Sequence, residues 1–453
     1  MTECNGLPLL FASLERKKIV ADFDGGDLTS DGGLPLLREV DRKIGLIDAL
    51  NNAIDDPRFG PLLAHDQRTI LAQRIFALAA GYEDLNDHHT LRNDTLLQAL
   101  TDRQLKCGQK EGDPLSSPPT LCRLENRIQR RDLRRMARVI VEQFIASFDT
   151  PPKELVLDFD ATDDAVHGKQ EGRFFHGYYD HYCFLPLYVT CGQQLLVAYL
   201  RPANIDAARH SRAILKLLVE RFRQAWPHVK IVFRADSGFC RWRLMRWCDR
   251  HGVDYIIGLA KNEVLKRLAR RGRVQARWDY RRTGLKQRLF EQFEYAADTW
   301  DRPRRVIAKA EHDQRGENPR FIVTSLAGEG QALYDNLYCQ RGDAENRIKE
   351  QQLGLFADRT SCHAFLANQF RVLLSAAAYV LMETLRRVGL AGTELASAQV
   401  STIRLKLLKI GGRIVRSVRR IVIHLAGGFP LQETFRTILR RLREWRCLTT
   451  CSP

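Results

Sequence analysis

The sequence lacks a C-x-x-C pair, a low-complexity tract, an internal repeat and any apolar run approaching the roughly 18 to 20 residues that a membrane span requires. Its eleven cysteines, among them Cys107, Cys183, Cys240 and Cys362, are scattered, which argues against a disulfide-stapled scaffold and reads as a set of reduced thiols. Cys447 and Cys451 stand close together, but no His or Cys pair elsewhere completes a tetrahedral zinc set, so they read as two more thiols. Met1 is not followed by a basic and then an apolar signal segment, so a cytoplasmic location is expected. Acidic residues are also in short supply: 54 Asp and Glu against 71 Lys and Arg leave a net charge of +17. An excess of that size favours a polyanionic partner, with nucleic acid ahead of an anionic membrane. Residues 401–453 concentrate it, with twelve Lys and Arg against Glu433 and Glu444.

At 453 residues the chain exceeds one ordinary compact core, and its texture changes along its length. Residues 1–150 read as a mainly helical DNA-binding domain. A short strand is expected near residues 18–23, a helix from residue 34 with Thr29, Ser30 and Asp31 available as caps, and a half-buried helix over residues 66–80 that stops at Gly81. A Gly, Pro and Ser-rich loop over 108–119 then leads to a helix capped by Thr120. That helix carries Arg123, Arg127, Arg130, Arg131, Arg134, Arg135 and Arg138, a basic face able to lie along phosphates, with Arg123 and Arg127 as candidate DNA contacts.

From residue 155 strands dominate, in the order three strands, helix, strand, helix, strand, which is the order of an RNase-H-like core; residues 151–262 and 331–390 are assigned to it. Residues 263–330 read as an inserted β-rich subdomain, with RVQARWDY, KQRLFEQFEY and RRVIAKAEHD as its strands. Residues 391–453 form a basic C-terminal region in which Gly411-Gly412 suggests a hairpin turn. There Ile403, Leu405 and Leu407 alternate as in a strand, which speaks against a membrane-surface helix.

The chemistry is carried by carboxylates. In LVLDFD the side chains alternate, so Leu155, Leu157 and Phe159 share one face while Asp158 and Asp160 share the other. A carboxylate on an apolar strand is costly to ionise without a cation against it, and Asp160 sits at the strand's end, where a divalent metal is the usual solution. KIVFRAD repeats the arrangement with Asp236, followed by the turn Ser237-Gly238. Farther along, Tyr338, Arg341, Glu345 and Lys349 follow helical steps and line one face. Asp158 rivals Asp160 for the first position; the strand end and the nearby Thr162 favour Asp160.

In this order D-A-T at 160–162, A-D-S-G-F at 235–239 and Y-x-x-R-x-x-x-E at 338–345 resemble the DDE transposases of bacterial insertion sequences. L-T-S-D-G-G at 28–33 and P-T-L-C-R-L-E-N at 119–126 resemble the N-terminal pattern of the insertion-sequence thirteen-eighty group. The resemblance implies an α/β fold with an RNase-H-like catalytic core, a β-rich insertion before the Glu, and a metal-binding triad of Asp160, Asp236 and Glu345 holding two Mg²⁺ ions, or Mn²⁺. It implies that Tyr338 and Arg341 position phosphates beside the cut, on double-stranded DNA at the element ends and at the target, with a homodimer pairing two ends. The related branch has a Lys seven residues after the Glu; here Gln352 holds that position and Lys349 is the nearest substitute. Where hairpins form, an aromatic ring holds a flipped base, and Trp300 or Trp278 is placed for that. His176 and His181 in RFFHGYYDHY are left without a role. A nuclease that cuts without joining, or a silent DNA-binding descendant, would share much of this pattern.

Overall fold

The computed structural model describes residues 9–58, 60, 63–102 and 113–445. Cys107, Cys447, Cys451, residues 108–112 of the expected loop and the last eight residues of the basic tail lie outside the described residues. The chain is mixed α/β and divides into two units: Gln129–Leu353 with Ala357–Ala376, and Met1–Ile128 with Gly354–Phe356 and Ala377–Thr449.

The first of these units is built on a nine-stranded sheet. Its order is Gln287–Tyr295, Arg304–Asp313, Arg320–Thr324, Asp254–Leu259, Lys230–Ala235, Glu154–Ala161, Leu187–Cys191 and Gln194–Tyr199, with Gly316–Glu317 paired onto Arg304–Asp313. Lys230–Ala235 runs parallel to both of its neighbours, Glu154–Ala161 and Asp254–Leu259. Parallel neighbours need crossovers, and the helices Ser211–Ala225 and Trp242–Arg250 supply them. The strands expected from residues 287–313 are present, and they continue the central sheet beyond Asp254–Leu259.

Period-two alternation gives the sheet two apolar faces. Leu155, Leu157, Phe159, Ile231, Phe233 and Ala235 pack into one large core with Leu215, Phe222 and Met245 from the crossover helices. Burying each such side chain contributes about 1.5–3 kcal/mol. On the opposite face Val232, Ile256, Ile307, Ile322 and Tyr334 form a second cluster, joined by Val156, Leu337 and Tyr338. That second face also carries the acids of the Asp160 strand, and the helical segment leading to Glu345 is docked on it.

Several expectations are corrected. RVQARWDY is not a strand: it belongs to the helix Arg270–Thr283, which ends at Gly284, and Gly272 and Ala276 are its buried positions. The Arg-rich stretch is two helices, Pro118–Arg127 and Arg130–Ala146, because Ile128 and Gln129 adopt extended backbone; the first starts right after Ser117, whose side chain makes no cap bond, so Thr120 lies inside the helix and does not cap it. Residues 400–408 are helical, so Ile403 and Leu407 are buried and Leu405 is 71 % exposed as turns of a helix dictate. The hairpin is Gly412–Ser417 with Arg420–Leu425, so Gly411-Gly412 stands at its start and the turn lies at Val418-Arg419.

In the smaller unit Thr29, Ser30 and Asp31 do not cap the helix Pro35–Ile44, whose cap residue Leu34 makes no side-chain bond. Asp31 instead accepts from Tyr82 at 2.7 Å and pairs with Lys409 at 2.6 Å. The L-T-S-D-G-G motif serves close backbone approach. Gly32 and Gly33 donate to the carbonyls of Ile410 and Leu408 at 2.8 and 3.0 Å, and a Cβ on Gly33 would lie 2.1 Å from the Leu407 carbonyl. The helix Gln67–Ala80 lies where expected and ends at Gly81; Asp66 caps its start, and it is buried almost throughout. Contrary to the reading that no segment is apolar enough, the 25 residues Phe365–Gly389 are long and apolar enough to cross a membrane. Since 78 % of the apolar window is buried inside the protein, it is accounted for as a core helix. All seven cysteines recorded among the described residues are free.

Candidate active site

The last recorded register pair between the two acid-bearing strands is Ala235 opposite Phe159, so Asp160 and Asp236 leave parallel neighbours side by side at their C-terminal ends. Adjacent strands lie about 4.8 Å apart, which brings two carboxylates into one small volume. Asp236 caps the short turn Ser237–Phe239, one oxygen accepting from Gly238 N–H at 2.9 Å. Asp160 accepts from the amide of Ala161 at 2.9 Å.

Glu345 comes from the helix Arg341–Lys349, and its side chain is 47 % exposed. The link among the acids is Arg341. Its guanidinium donates to Asp160 at 3.2 Å and to Glu345 at 2.6 Å, so a planar fork spans the strand acid and the helix acid. Burial pushes the Asp160 acid up to about 7; Arg341 opposes the shift, and the charges of Asp236 and Glu345 add to it. Asp160 and Glu345 therefore share a single organic cation, and the charge of Asp236 is felt at both Asp160 and Arg341. Among the described residues no group of three or more His, Cys, Asp or Glu side chains stands close enough to hold a metal ion in this side-chain arrangement. The donors at the strand ends are nonetheless hard oxygens, and the cost that burial puts on ionising Asp160 is one that cationic charge relieves, so their chemistry, though not their present spacing, suits a hard divalent ion.

Tyr338 precedes Arg341 by one turn. Burial raises its hydroxyl's pKa, with Arg341 opposing and Asp236 adding, which places that hydroxyl near both groups. A Cβ on Gly258 would lie 2.5 Å from the Tyr338 hydroxyl and 2.8 Å from the Ser237 amide, so only glycine lets the Asp254–Leu259 strand pass beneath the site.

Asp158, the rival, is closed off. It is 3 % exposed and held in a two-pronged pair with Arg234, whose second nitrogen donates at 2.6 Å. Arg234 also donates to the carbonyl of Leu337 at 2.5 Å, fastening the sheet to the segment just ahead of Tyr338. Arg234 is a positioning residue that sequence reasoning missed; its only signal is a cation inside the otherwise apolar strand KIVFRAD.

The remaining candidates have surroundings of their own. Lys349 is exposed on the Glu345 helix, and Gln352 donates to the Asp163 carbonyl at 2.8 Å. Arg123 is exposed, whereas Arg127 donates to Gln67 at 2.5 Å and pairs with Asp56 at 3.4 Å. Trp300 is part-buried against the core, 5.5 Å from the Tyr295 ring with the Arg304 guanidinium 5.7 Å from its own ring. Trp278 is 63 % exposed on the helix Arg270–Thr283.

The family model described as "Transposase DDE domain group 1" matches residues 11–447. A solved structure, described as the cryo-EM structure of a piggyBac transposase synaptic complex with hairpin DNA, is similar at 9 % identity and a TM-score of 0.41, covering 84 % of this chain and 80 % of that one. None of the curated proteins matches.

Proposed function

From the premise that this chain belongs to the group 1 family of DDE transposase domains, we propose that it is the transposase of a bacterial insertion sequence of the thirteen-eighty group, cutting and joining double-stranded DNA at Asp160, Asp236 and Glu345. The observation that carries the reading is the bridge that Arg341 makes between strand-end Asp160 and helix-borne Glu345, with Asp236 at the end of the neighbouring parallel strand. The sheet order supports it. A strand flanked by one antiparallel hairpin and one parallel neighbour, itself parallel to the next, is the order of an RNase-H-like core.

In the first reaction a water oxygen attacks the phosphorus at the element's end, the P–O3′ bond breaks, and the element keeps a 3′-hydroxyl while the phosphate stays on the flanking strand. In the second, that 3′ oxygen attacks a phosphorus of target DNA and displaces the target's own 3′ oxygen, so one phosphodiester is exchanged for another. Asp160, Asp236 and Glu345 would hold two divalent ions, Mg²⁺ or Mn²⁺, which lower the cost of charge on the attacking and leaving oxygens. The remaining work falls to the chain. Arg341, at the edge of the carboxylates, is shaped to grip a phosphate bidentately, and the Tyr338 hydroxyl beside it is a donor for a second phosphate oxygen. Leu337 and the residues after it are kept in place by Arg234. A homodimer would bring two element ends together.

Asp236→Asn tests the reading. Removing one carboxylate should lower strand cleavage of inverted-repeat DNA by about a thousandfold or more, the scale of several kcal/mol of lost charge stabilisation, while duplex binding stays within about twofold. Cleavage at the wild-type rate by this variant would refute the assignment.

A further inference from the structure

Near its start the chain forms a two-stranded hairpin, Leu9–Leu14 against Lys17–Ala21, turning at Glu15-Arg16. Every residue of both strands is exposed, and among the described residues no third strand joins either edge. The register sets Leu10 beside Val20 on one face, and Leu9 and Phe11 beside Ala21 and Ile19 on the other, so both faces are apolar. Leu10 is 74 % exposed and Phe11 57 %. An isolated two-stranded hairpin is marginally stable in water, and an open apolar edge is a template for another strand.

Charge decides which strand that is. Arg16, Lys17 and Lys18 balance Glu15, Asp22 and Asp24, so the hairpin offers no net attraction to phosphate. Among the described residues Arg16, Lys17, Lys18, Asp22 and Asp24 make no ion pair. Asp22 and Asp24 meet each other instead: the Asp24 amide donates to the Asp22 carboxylate at 3.4 Å, and that carboxylate holds the Asp24 acid above its ordinary pKa. Lysines on an edge strand ordinarily keep other strands away. Here the same strand carries the acids that answer them. Lys18 and Arg16 lie two and four positions before Val20, and Asp22 and Asp24 lie two and four positions after it.

Turned end for end about Val20, the strand is therefore its own complement. Lys18 falls opposite the partner's Asp22, and beyond the strand ends Arg16 comes opposite the partner's Asp24, all on the face of Val20. Centring the pair on Ile19 leaves only Arg16 against the partner's Asp22, and centring it on Ala21 leaves only Lys18 against the partner's Asp24. Parallel pairing in register sets Lys18 beside the partner's Lys18. We propose that the open edge of Lys17–Ala21 pairs antiparallel with the same strand of a second copy of this chain, centred on Val20. The contact is isologous, joins the two hairpins into one sheet, and lines up Leu10 and Val20 of both copies in a single row. It goes beyond the transposase reading, on which only the use of the dimer rests.

The test is sedimentation equilibrium on the full chain without DNA. The parent should dimerise. Lys18→Asp alone, or Asp22→Lys alone, sets like charges against each other on both sides of the two-fold axis and should weaken self-association about tenfold or more. An equal mixture of the two variants should recover the parent's affinity to within about threefold, because each chain then meets the opposite charge. The mixture separates a lost contact from a lost fold, since a chain that fails to fold is not rescued by another variant. A parent that stays monomeric, single variants that dimerise as the parent does, or a mixture no better than its components would overturn the contact. None of these readouts involves cleavage, so the contact and the catalytic acids fail independently.

Discussion

Two rungs of the same pair of strands hold opposite solutions to one electrostatic problem. On the inner rung Asp158 faces Arg234 across the parallel register, buried and fully paired. One alternation farther on, Asp160 stands beside Asp236, like beside like, and the cation comes from Arg341 more than a hundred residues away in sequence. A buried acid with its own cation on the next strand is finished as structure. A largely buried acid whose neighbour is another acid is unfinished: burial first, and then the charges of Asp236 and Glu345, push its pKa up to about 7 against the pull of Arg341, while burial also raises paired Asp158. The inner rung fastens the sheet to the Leu337 segment so that the outer rung can meet the helix carrying Arg341 and Glu345.

The comparison breaks most visibly at the inner rung. Arg234→Ala leaves Asp158 buried without its partner and should cost about 3–5 kcal/mol in a urea unfolding series, whereas Arg234→Met with Asp158→Leu should recover most of that loss. An Arg234→Ala protein as stable as the parent would show that the inner pair is not structural.

The outer rung is sharpened by pH. The folded-state value of Asp160 is raised to about 7 from 3.8, so between those values the folded protein holds a proton that the unfolded chain has released. Its contribution to stability is therefore present at low pH and is lost as pH rises through about 7. Divalent-ion binding, which needs the ionised form, should run the other way: affinity measured by calorimetry rises about tenfold per pH unit toward 7 and levels above it, with about one proton released on binding below that point. A flat profile from pH 5 to 8 would remove Asp160 from the ligand set.

The smallest effect separates two neighbouring arginines in the same way. Exposed Arg123 should lose duplex affinity only a few-fold on replacement by Ala, lowering the salt slope of binding by about one, with stability unchanged. Arg127, committed to Gln67 and Asp56, should instead lose stability, by about 1–3 kcal/mol in the same unfolding assay. Equal behaviour of the two would mean that internal pairing does not distinguish them.

Much of the outer rung was legible in the sequence. Period-two alternation in LVLDFD puts Asp160 opposite the core face, and steps of three and four put Tyr338, Arg341 and Glu345 on one side of a helix. Both rules depend on local geometry alone. The inner pair was not legible, because Asp158 and Arg234 meet only through the register of two strands that are distant in sequence. RVQARWDY misled because its apolar residues alternate over a short stretch, while Arg, Gln and Ala favour helix and the burial of Gly272 and Ala276 against neighbouring strands decides the matter. Residues 403–407 failed for the same reason: alternation over five positions suits one strand face and also a little over one helical turn, with Ile403 and Leu407 inside and Leu405 exposed. RFFHGYYDHY gave only its composition, since the two faces of its hairpin exist once Phe175 is paired with Tyr182.

The account turns on whether the strand-end acids exchange Arg341 for divalent metal. Anomalous diffraction from crystals of the full chain soaked in Mn²⁺ measures this directly. The prediction is manganese density within about 2.2 Å of carboxylate oxygens of both Asp160 and Asp236, with the Arg341 guanidinium withdrawn from Asp160. Manganese bound elsewhere, with Arg341 still seated between Asp160 and Glu345, would contradict it.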